Sequence, residues 1–451
     1  MKKLMVSLFL ISALFNSYAE KITLDEYVSL VQKNNKDLKI ARKNTEKAKT
    51  LVSQAFASFV PMIGATAGYT HYQGSVSLED SFLSSNPMVA QYYPQMKDSL
   101  DDLNINNASV GLGAEMNIFN PQSIGAYRVT KKSYEMQKEG ENYIQKYLVV
   151  NAKKLYAQVQ LLNDVLAVQK EMEEMYRAVY DSQLKKYNAG TITELDLRMA
   201  EVDLKNAELA VIQAEKNLNV GFTAFKHLAS INSSCEIEPV ETGVNFETEQ
   251  ADSSLEVSFD ANEALSQRSD YKIAQLSKEM SDIQLQTSYS AFAPTIIGGV
   301  VYGFGKLGGL NESADFFSLG DLSSKNLAVS VRAVVPVFTG GLRRGLIKEA
   351  KANQQSTELI LEKTRDSIEQ ELTELYFRFE EVSKRLESAK VIETTAQRAA
   401  HLAKTSLNSG LGTQVSLSQA ESKLAQAKLN YKNAIYEYKV ARYDLDFAMG
   451  K

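Results

Sequence analysis

No proline interrupts the chain between Pro121 and Pro239, and none follows Pro336. Proline removes a helix hydrogen bond and clashes with the preceding turn. Two such stretches, rich in Lys, Glu, Gln, Leu and Ala, predict helices far longer than a globular core uses. The first, 122–187, would run roughly 100 Å at about 1.5 Å per residue. Its apolar positions Leu148, Leu155, Val159, Leu162 and Leu166 sit among polar neighbours, the narrow seam of a coiled coil. It ends on Tyr187-Asn188-Ala189-Gly190-Thr191-Ile192-Thr193, and the second, 342–407, ends on Leu407-Asn408-Ser409-Gly410-Leu411-Gly412-Thr413. A further helix follows each turn, over 193–229 and 413–448. The turns therefore read as the tips of two long antiparallel hairpins.

The tips lie 220 positions apart, and the match continues beyond them. Leu195, Leu197, Ala200, Glu201, Leu204 and Ala207 correspond to Val415, Leu417, Ala420, Glu421, Leu424 and Ala427. That agreement at one offset marks an internal duplication. Ala200, Ala207, Ala210 and Ala214 allow the partner helix to come close. The two copies span 20–231 and 261–451, separated by a polar, irregular segment at 232–260. Each opens with a shorter helix that stops at a proline: Thr23 to Phe59 before Pro61, and Asn262 to Ala291 before Pro294.

After each of those prolines the period changes from helical to two. Strands are predicted at about 62–72, 108–119, 295–305 and 326–338, with a long exposed loop over 73–107. In the second strand Val110, Leu112, Ala114, Met116 and Ile118 share one face, and Ser109, Gly111, Gly113, Glu115 and Asn117 the other. In the fourth, Leu327, Val329, Val331, Ala333, Val335 and Val337 oppose Ser330 and Arg332. An apolar face backed by a glycine-rich, charged one suggests lipid on one side and water on the other.

With 451 residues, 23% charged and 44% hydrophobic, the chain is neither disordered nor a bundle of membrane-spanning helices. A formal charge of -5 speaks against general nucleic-acid binding. Lys2-Lys3, an apolar run from Leu4 to Phe15, and Ser17-Tyr18-Ala19 have the form of a secretory signal peptide over 1–19. No cysteine follows that run, so a lipid anchor is not expected. Cys235 is the single cysteine and offers neither an intrachain disulfide nor a zinc pair.

Candidate sites are few. Gly303-Phe304-Gly305-Lys306-Leu307-Gly308 fits the dinucleotide fingerprint G-x-G-x-x-G, but no helical stripe follows it, so a glycine-rich loop at the end of a strand is the better reading. His71, His227 and His401 have no common spacing and read as surface or packing residues. No nucleophile motif, cofactor fingerprint or metal-ligand cluster points to an enzyme. Glu115 and Arg332, the charges inside their strands, are expected on the polar face, either as a salt bridge that keeps it wet or as tuners of what passes.

Thr23-Leu24-Asp25-Glu26 with Asn35-Lys36-Asp37-Leu38 opens the first copy, and Arg268-Ser269-Asp270-Tyr271 is its equivalent in the second. Ser58-Phe59-Val60-Pro61 and Ala291-Phe292-Ala293-Pro294 lead into strands, and Val335-Pro336-Val337-Phe338-Thr339-Gly340-Gly341 leads out. In this order the chain resembles the TolC-like outer membrane efflux family over nearly its whole mature length.

The resemblance implies a mainly α protein with a transmembrane β-barrel. Three subunits would each give four strands to a 12-stranded barrel and long helices to an α-helical periplasmic tunnel. The physics of edges agrees, because four strands leave two unpaired edges that cannot face lipid. By the same resemblance the chain is a passive exit duct in the outer membrane, extending into the periplasm. It would act with a periplasmic adaptor and an inner membrane pump of RND, ABC or MFS type, in multidrug efflux or type I secretion, without cofactor or nucleic acid. The rival reading is a secreted helical scaffold or adhesin without channel activity.

The resemblance also implies that Ala189, Gly190, Thr191, Ser409, Gly410 and Leu411 dock the adaptor. The periplasmic entrance would be rimmed near Asp196, Ser416 and Gln419. The family's best-known member closes this entrance with an arginine, a tyrosine and two aspartates; the matching positions here are Gly412, Leu407, Ser416 and Gln419. Asp196 corresponds to Ser416 in the first copy and is expected on the outer helix pair.

Overall fold

The computed structural model describes residues 20–74, 87, 91, 103–231, 237–239, 261–307 and 324–451. The expected signal peptide and most of the expected loop over 73–107 lie outside these residues. The elements in order are β1 (Glu20–Ile22), α1 (Leu24–Asn34), α2 (Lys36–Phe56), β2 (Met62–Gly74), β3 (Leu103–Phe119), α3 (Pro121–Asn188) and α4 (Glu194–Leu228). Then come β4 (Ile237–Pro239), α5 (Ala261–Gln267), α6 (Ser269–Ser290), β5 (Thr295–Leu307), β6 (Ser324–Val334), α7 (Leu342–Asn408) and α8 (Gln414–Ala448). The chain divides into two compact units. One holds residues up to Glu46, 135–276 and 358–451; the other holds 47–134 and 277–357. Each draws on both copies of the repeat.

In the first unit the coiled-coil seam is written in α4. Its buried residues are Leu197, Ala200, Leu204, Ala207, Val211, Ala214, Leu218, Gly221 and Phe225, spaced three and four in strict alternation. That is a period of 3.5, the repeat of a left-handed supercoil. Every seventh residue of the seam is Ala or Gly, so the helix axis can approach its partner. A Cβ built on Gly221 would lie 2.7 Å from Leu162 of α3. In the second half of α8 the buried residues Ala434, Tyr438, Ala441, Leu445 and Ala448 repeat the same alternation.

At the far end of α4 a denser core forms. Tyr27 of α1 stacks on Phe225 with ring centroids 3.7 Å apart and donates its hydroxyl to the Phe225 carbonyl at 2.9 Å. Val31, Leu38, Leu148, Ala152, Tyr156 and Val159 close around them. Removal from water pushes the Tyr27 hydroxyl well above the ordinary tyrosine value. The chain before α1 is tied in by β1, which pairs in parallel with β4. In the inter-repeat segment, expected to be irregular, the described residues Ile237–Pro239 form a short strand by pairing with β1. α3 also meets α8, through the ion pairs Lys154–Asp444, Asp164–Lys432 at 3.1 Å and Glu171–Lys428 at 2.6 Å.

The single helices expected over Thr23 to Phe59 and Asn262 to Ala291 are each broken in two, and the first also ends in a 3-10 turn at Ala57–Phe59. The first breaks at Asn35, with φ -54° and ψ 133°. Its side-chain oxygen accepts the amides of Asp37 and Leu38 at 2.8 and 3.2 Å, which starts α2, and its amide nitrogen donates to the Leu228 carbonyl at 3.0 Å. The second breaks at Arg268, between α5 and α6. At Asn35 a side chain that satisfies the start of the next helix makes the interruption favourable, and no proline or glycine announces either break.

The second unit is built on one antiparallel sheet in the order β2-β3-β5-β6. Register places Met62, Glu115, Gly299 and Ser330 in line, and likewise Ala65, Leu112, Tyr302 and Leu327. One face therefore carries Ala65, Ala67, Val110, Leu112, Val300, Tyr302, Val329 and Val331. The other carries Gly64, Gly68, Gly111, Gly113, Gly299 and Gly303 with Glu115, Ser330 and Arg332. Gly303 is needed for closeness, since a Cβ there would stand 2.9 Å from the Val110 carbonyl. Gly303–Leu307 lie inside β5, so the G-x-G-x-x-G match lies largely in a strand and opens no helix among the described residues. Among the described residues no strand covers the outer edge of β2 or β6.

Three strands reach further than expected, to Gly74, back to Leu103 and to Leu307, whereas β6 stops at Val334. Pro336 has no amide hydrogen to donate and restricts the residue before it, so Val335 and Val337 fall outside the ladder. All four strands meet helices at the same end of the sheet. Gly125 of α3 faces Thr287 of α6 so closely that a Cβ would overlap it, at 2.0 Å. Arg128–Gln286 and Lys132–Glu279 contacts extend this helix pair.

Candidate functional site

The two tips share one backbone design. At the first, Thr191 N–H donates to the Lys186 carbonyl and Gly190 N–H to the Tyr187 carbonyl, both at 2.9 Å. At the second, Leu411 N–H donates to Ser406 and Gly410 N–H to Leu407, at 2.9 and 3.0 Å. This crossed pair of bonds is the Schellman ending of a helix, and it requires a left-handed residue. Gly190 and Gly410 supply it, with φ of +71° and +75°. The next helix starts three residues later on a threonine: Thr193 and Thr413 each cap it by accepting the amide of the third helical residue. Both threonines therefore stand just outside the helices expected to begin with them.

That third residue is Asp196 in one copy and Ser416 in the other. Asp196 accepts from the Thr193 hydroxyl at 2.7 Å and from its amide at 3.1 Å. Those two hydrogen bonds, the hydroxyl first, hold its carboxyl below the ordinary aspartate value. Ser416 Oγ accepts the Thr413 amide at 3.2 Å and donates to the Thr413 carbonyl at 2.7 Å. Both are capping-box residues, a role the spacing Thr-x-x-Asp and Thr-x-x-Ser signals on its own. Gln419 is exposed and corresponds to Met199, which is 61% exposed.

The tips differ in surface chemistry. The first has Lys185 and Lys186 in its last turn, and Arg198 bridging Glu194 and Glu201 at 3.4 and 2.8 Å. The second has no charge in the last turn of α7 or the first turn of α8 and presents Leu411 and Val415, 87% and 61% exposed.

Glu115 and Arg332 lie on one face of the sheet, as their strand patterns predict, but they do not bridge. β5 runs between their strands, and Arg332 aligns with Ile297, two residues from the line of Glu115. Two strand spacings of about 4.8 Å separate them sideways. His71, His227 and His401 fall on β2, α4 and α7, and among the described residues no group of His, Cys, Asp and Glu could hold a metal ion.

Sequence reasoning missed Arg268. Its guanidinium, largely buried, pairs with Asp270 at 2.6 Å and Glu371 at 2.8 Å and donates to the Ala448 carbonyl at 3.2 Å. Burial opposes ionisation of Asp270, but hydrogen bonds and charge from Arg268 outweigh it and keep the carboxyl below its ordinary value. Part of the signal lies in the Arg-Ser-Asp-Tyr motif, which holds both Arg268 and its partner Asp270, whereas Glu371 and the Ala448 carbonyl are far along the chain.

The chain is similar to the outer membrane protein TolC of Escherichia coli (strain K12), 21% identical over 455 residues that span 100% of this chain and 87% of that one. Its fold is similar to that of a membrane protein from Pseudomonas aeruginosa, with a TM-score of 0.78, 17% identity and coverage of 95% and 93% of the two chains. The Campylobacter jejuni CmeC outer membrane channel gives a TM-score of 0.76 at 18% identity, covering 95% and 85%. The description of the outer membrane efflux proteins matches residues 27–226 and 261–451. With a doubled hairpin, a four-stranded sheet and a match over most of its length, this chain belongs to the outer membrane efflux protein family, a family of channels rather than enzymes or scaffolds.

Proposed function

We infer that the chain is the outer membrane exit duct of a tripartite export system, working with a periplasmic adaptor and an inner membrane pump. It assembles as a homotrimer whose sheets close one 12-stranded barrel around the glycine-rich face. The observation that carries this reading is the sheet itself. Its open edges at β2 and β6 flank a face on which Leu327, Val329 and Val331 are each about 70% exposed (67%, 71% and 70%). In hydrocarbon each unpaired backbone group costs several kcal/mol, so the edges must be closed by other copies of the chain. On this reading Glu115 and Arg332 line the lumen. The tips Ala189, Gly190, Thr191, Ser409, Gly410 and Leu411 meet the adaptor, and Ser416 and Gln419 rim the entrance, with Asp196 on the outer pair. Residues 1–19 act as the signal peptide.

The test pairs oligomer mass with two neighbouring substitutions. Mass measurement in detergent should give three copies. Val331→Arg places a charge on the lipid face, costing about 2–4 kcal/mol per subunit at the bilayer midplane, whereas Ser330→Arg points into water. The first should abolish assembly into the outer membrane and the second should leave it intact. A stable monomer in that membrane, or equal assembly of the two variants, would sink the reading.

A further inference from the structure

Charge is sorted at the end of the sheet where strands meet helices. Residues 47–61, 121–134, 277–294 and 335–357, which make these connections, hold ten Lys or Arg against three Asp or Glu, in a chain whose formal charge is -5. The basic residues are arranged. On α3, Ile124 is 40% exposed and Arg128 and Lys131 follow at i+4 and i+7, one stripe of the helix. On α7, Arg344, Lys348 and Lys351 repeat that spacing, all exposed. Arg128 and Lys348, like Lys131 and Lys351, are related by the 220-residue offset of the duplication, so both copies carry a cation at the same two helical positions.

Nearer the sheet the exposed surface is apolar and aromatic. Phe56 and Phe292 are about half exposed, and Val337 and Phe338 are 95% and 88% exposed. Arg343 is spent differently: it is buried, donates to the Pro336 carbonyl at 2.8 Å and lies 5.0 Å from the Phe292 ring, fixing the corner that presents these side chains. Seven to ten residues into α3 and α7, or about 10–15 Å at 1.5 Å per residue, the surface has become basic. Among the described residues no carboxylate pairs with Lys131, Arg344, Lys348 or Lys351.

We propose that this rim binds anionic phospholipid of the leaflet next to the helices. The aromatic and aliphatic side chains lie at the hydrocarbon edge and the basic stripes of both copies hold the phosphates. An apolar-to-basic step matches the boundary of a membrane; a water-filled lumen has no such step to match. The proposal rests on the reading of the sheet as membrane-inserted.

The test uses the full chain purified in a nonionic detergent with equimolar phosphatidylglycerol and phosphatidylethanolamine, with retained lipid counted by native mass spectrometry. Phosphatidylglycerol should be enriched. R128Q/K131Q/K348Q/K351Q should lower that enrichment about fivefold or more without changing the oligomer, and the pairs R128Q/K348Q and K131Q/K351Q should each lower it partly. Millimolar inorganic phosphate should not displace the lipid. Unchanged enrichment in the variants, or displacement by free phosphate, overturns the proposal. An unchanged lipid ratio with altered anion-to-cation permeability in planar bilayers also overturns it, by putting the stripe in the lumen. Failure of the membrane reading shows separately, as absence of the unmodified chain from the outer membrane fraction.

Discussion

The two copies of the repeat perform the same backbone tasks with different side chains. Where the short helix breaks, the first copy uses Asn35, which caps α2 and donates to the Leu228 carbonyl. The second uses Arg268, which donates to the Ala448 carbonyl and needs Asp270 and Glu371 to carry its charge. Leu228 and Ala448 are themselves 220 residues apart and end α4 and α8. Helix ends leave carbonyls without partners, and a donor must be supplied at that point in space. The donor's identity is free, so a neutral amide in one copy and an ion cluster in the other do the same geometric task, and only the ion cluster responds to pH.

Breaking the two clamps should separate them most. Arg268→Ala leaves two carboxylates and a carbonyl without their donor and should cost about 2–3 kcal/mol, below the value for a fully buried pair because Asp270 is partly exposed. Asn35→Ala removes neutral bonds and should cost about 1–2 kcal/mol. The sign with pH follows from Asp270. Its folded pKa is depressed, so its contribution is full above the ordinary carboxylate value and is lost as the pH falls through the folded one. Hydrogen-exchange protection at the start of α6 should therefore fall on acidification, that at the start of α2 should not fall by this route, and Arg268→Ala should flatten the difference. Equal acid sensitivity of both breaks would refute the contrast.

The tips should behave alike where the clamps differ. A Cβ added at Gly190 or Gly410 meets nothing within 4 Å, so substitution by alanine costs only the left-handed backbone, about 1–2 kcal/mol at each. Thermal unfolding of G190A and G410A should shift equally, and the double variant should show the sum. A larger loss at one tip would reveal contacts there that the shared design does not contain.

These contrasts also mark what the sequence could reveal. Long helices, tips and strand faces were legible because each rests on a periodic pattern or a residue with a unique backbone role: absent proline, Gly190, Gly410, alternation around Glu115 and Arg332. The breaks at Asn35 and Arg268 were less so, since besides their near partners Asp37, Leu38 and Asp270, each holds a carbonyl that lies 193 or 180 residues away in sequence. Alternation alone extends the fourth strand through Val335 and Val337, but Pro336 cannot donate to the ladder and ends it at Val334. Asp196 and Ser416 enter through the family resemblance as residues of the entrance, although their distance from Thr193 and Thr413 already assigns them to the caps.

The smallest structural effect is expected from exchanging those two, and for that reason the exchange isolates function. Asp and Ser both serve as the third residue of a capping box here, and a carboxylate near a helix N-terminus is favourable. Asp196→Ser and Ser416→Asp should thus leave both helix starts, and the melting temperature, nearly unchanged. Their charges, however, move between copies. If α8 rims the entrance, Ser416→Asp with Gln419→Asp brings six carboxylates of a trimer toward its axis, where converging like charges gain from an added cation. In planar bilayers that variant should be blocked by multivalent cations from the periplasmic side, while the unmodified duct, with serine and glutamine there, should be blocked weakly. Asp196→Ser should change neither. Tight block of the unmodified protein that disappears in Asp196→Ser would instead put α4 at the axis and reverse the roles of the two hairpins, leaving the caps and clamps as they stand.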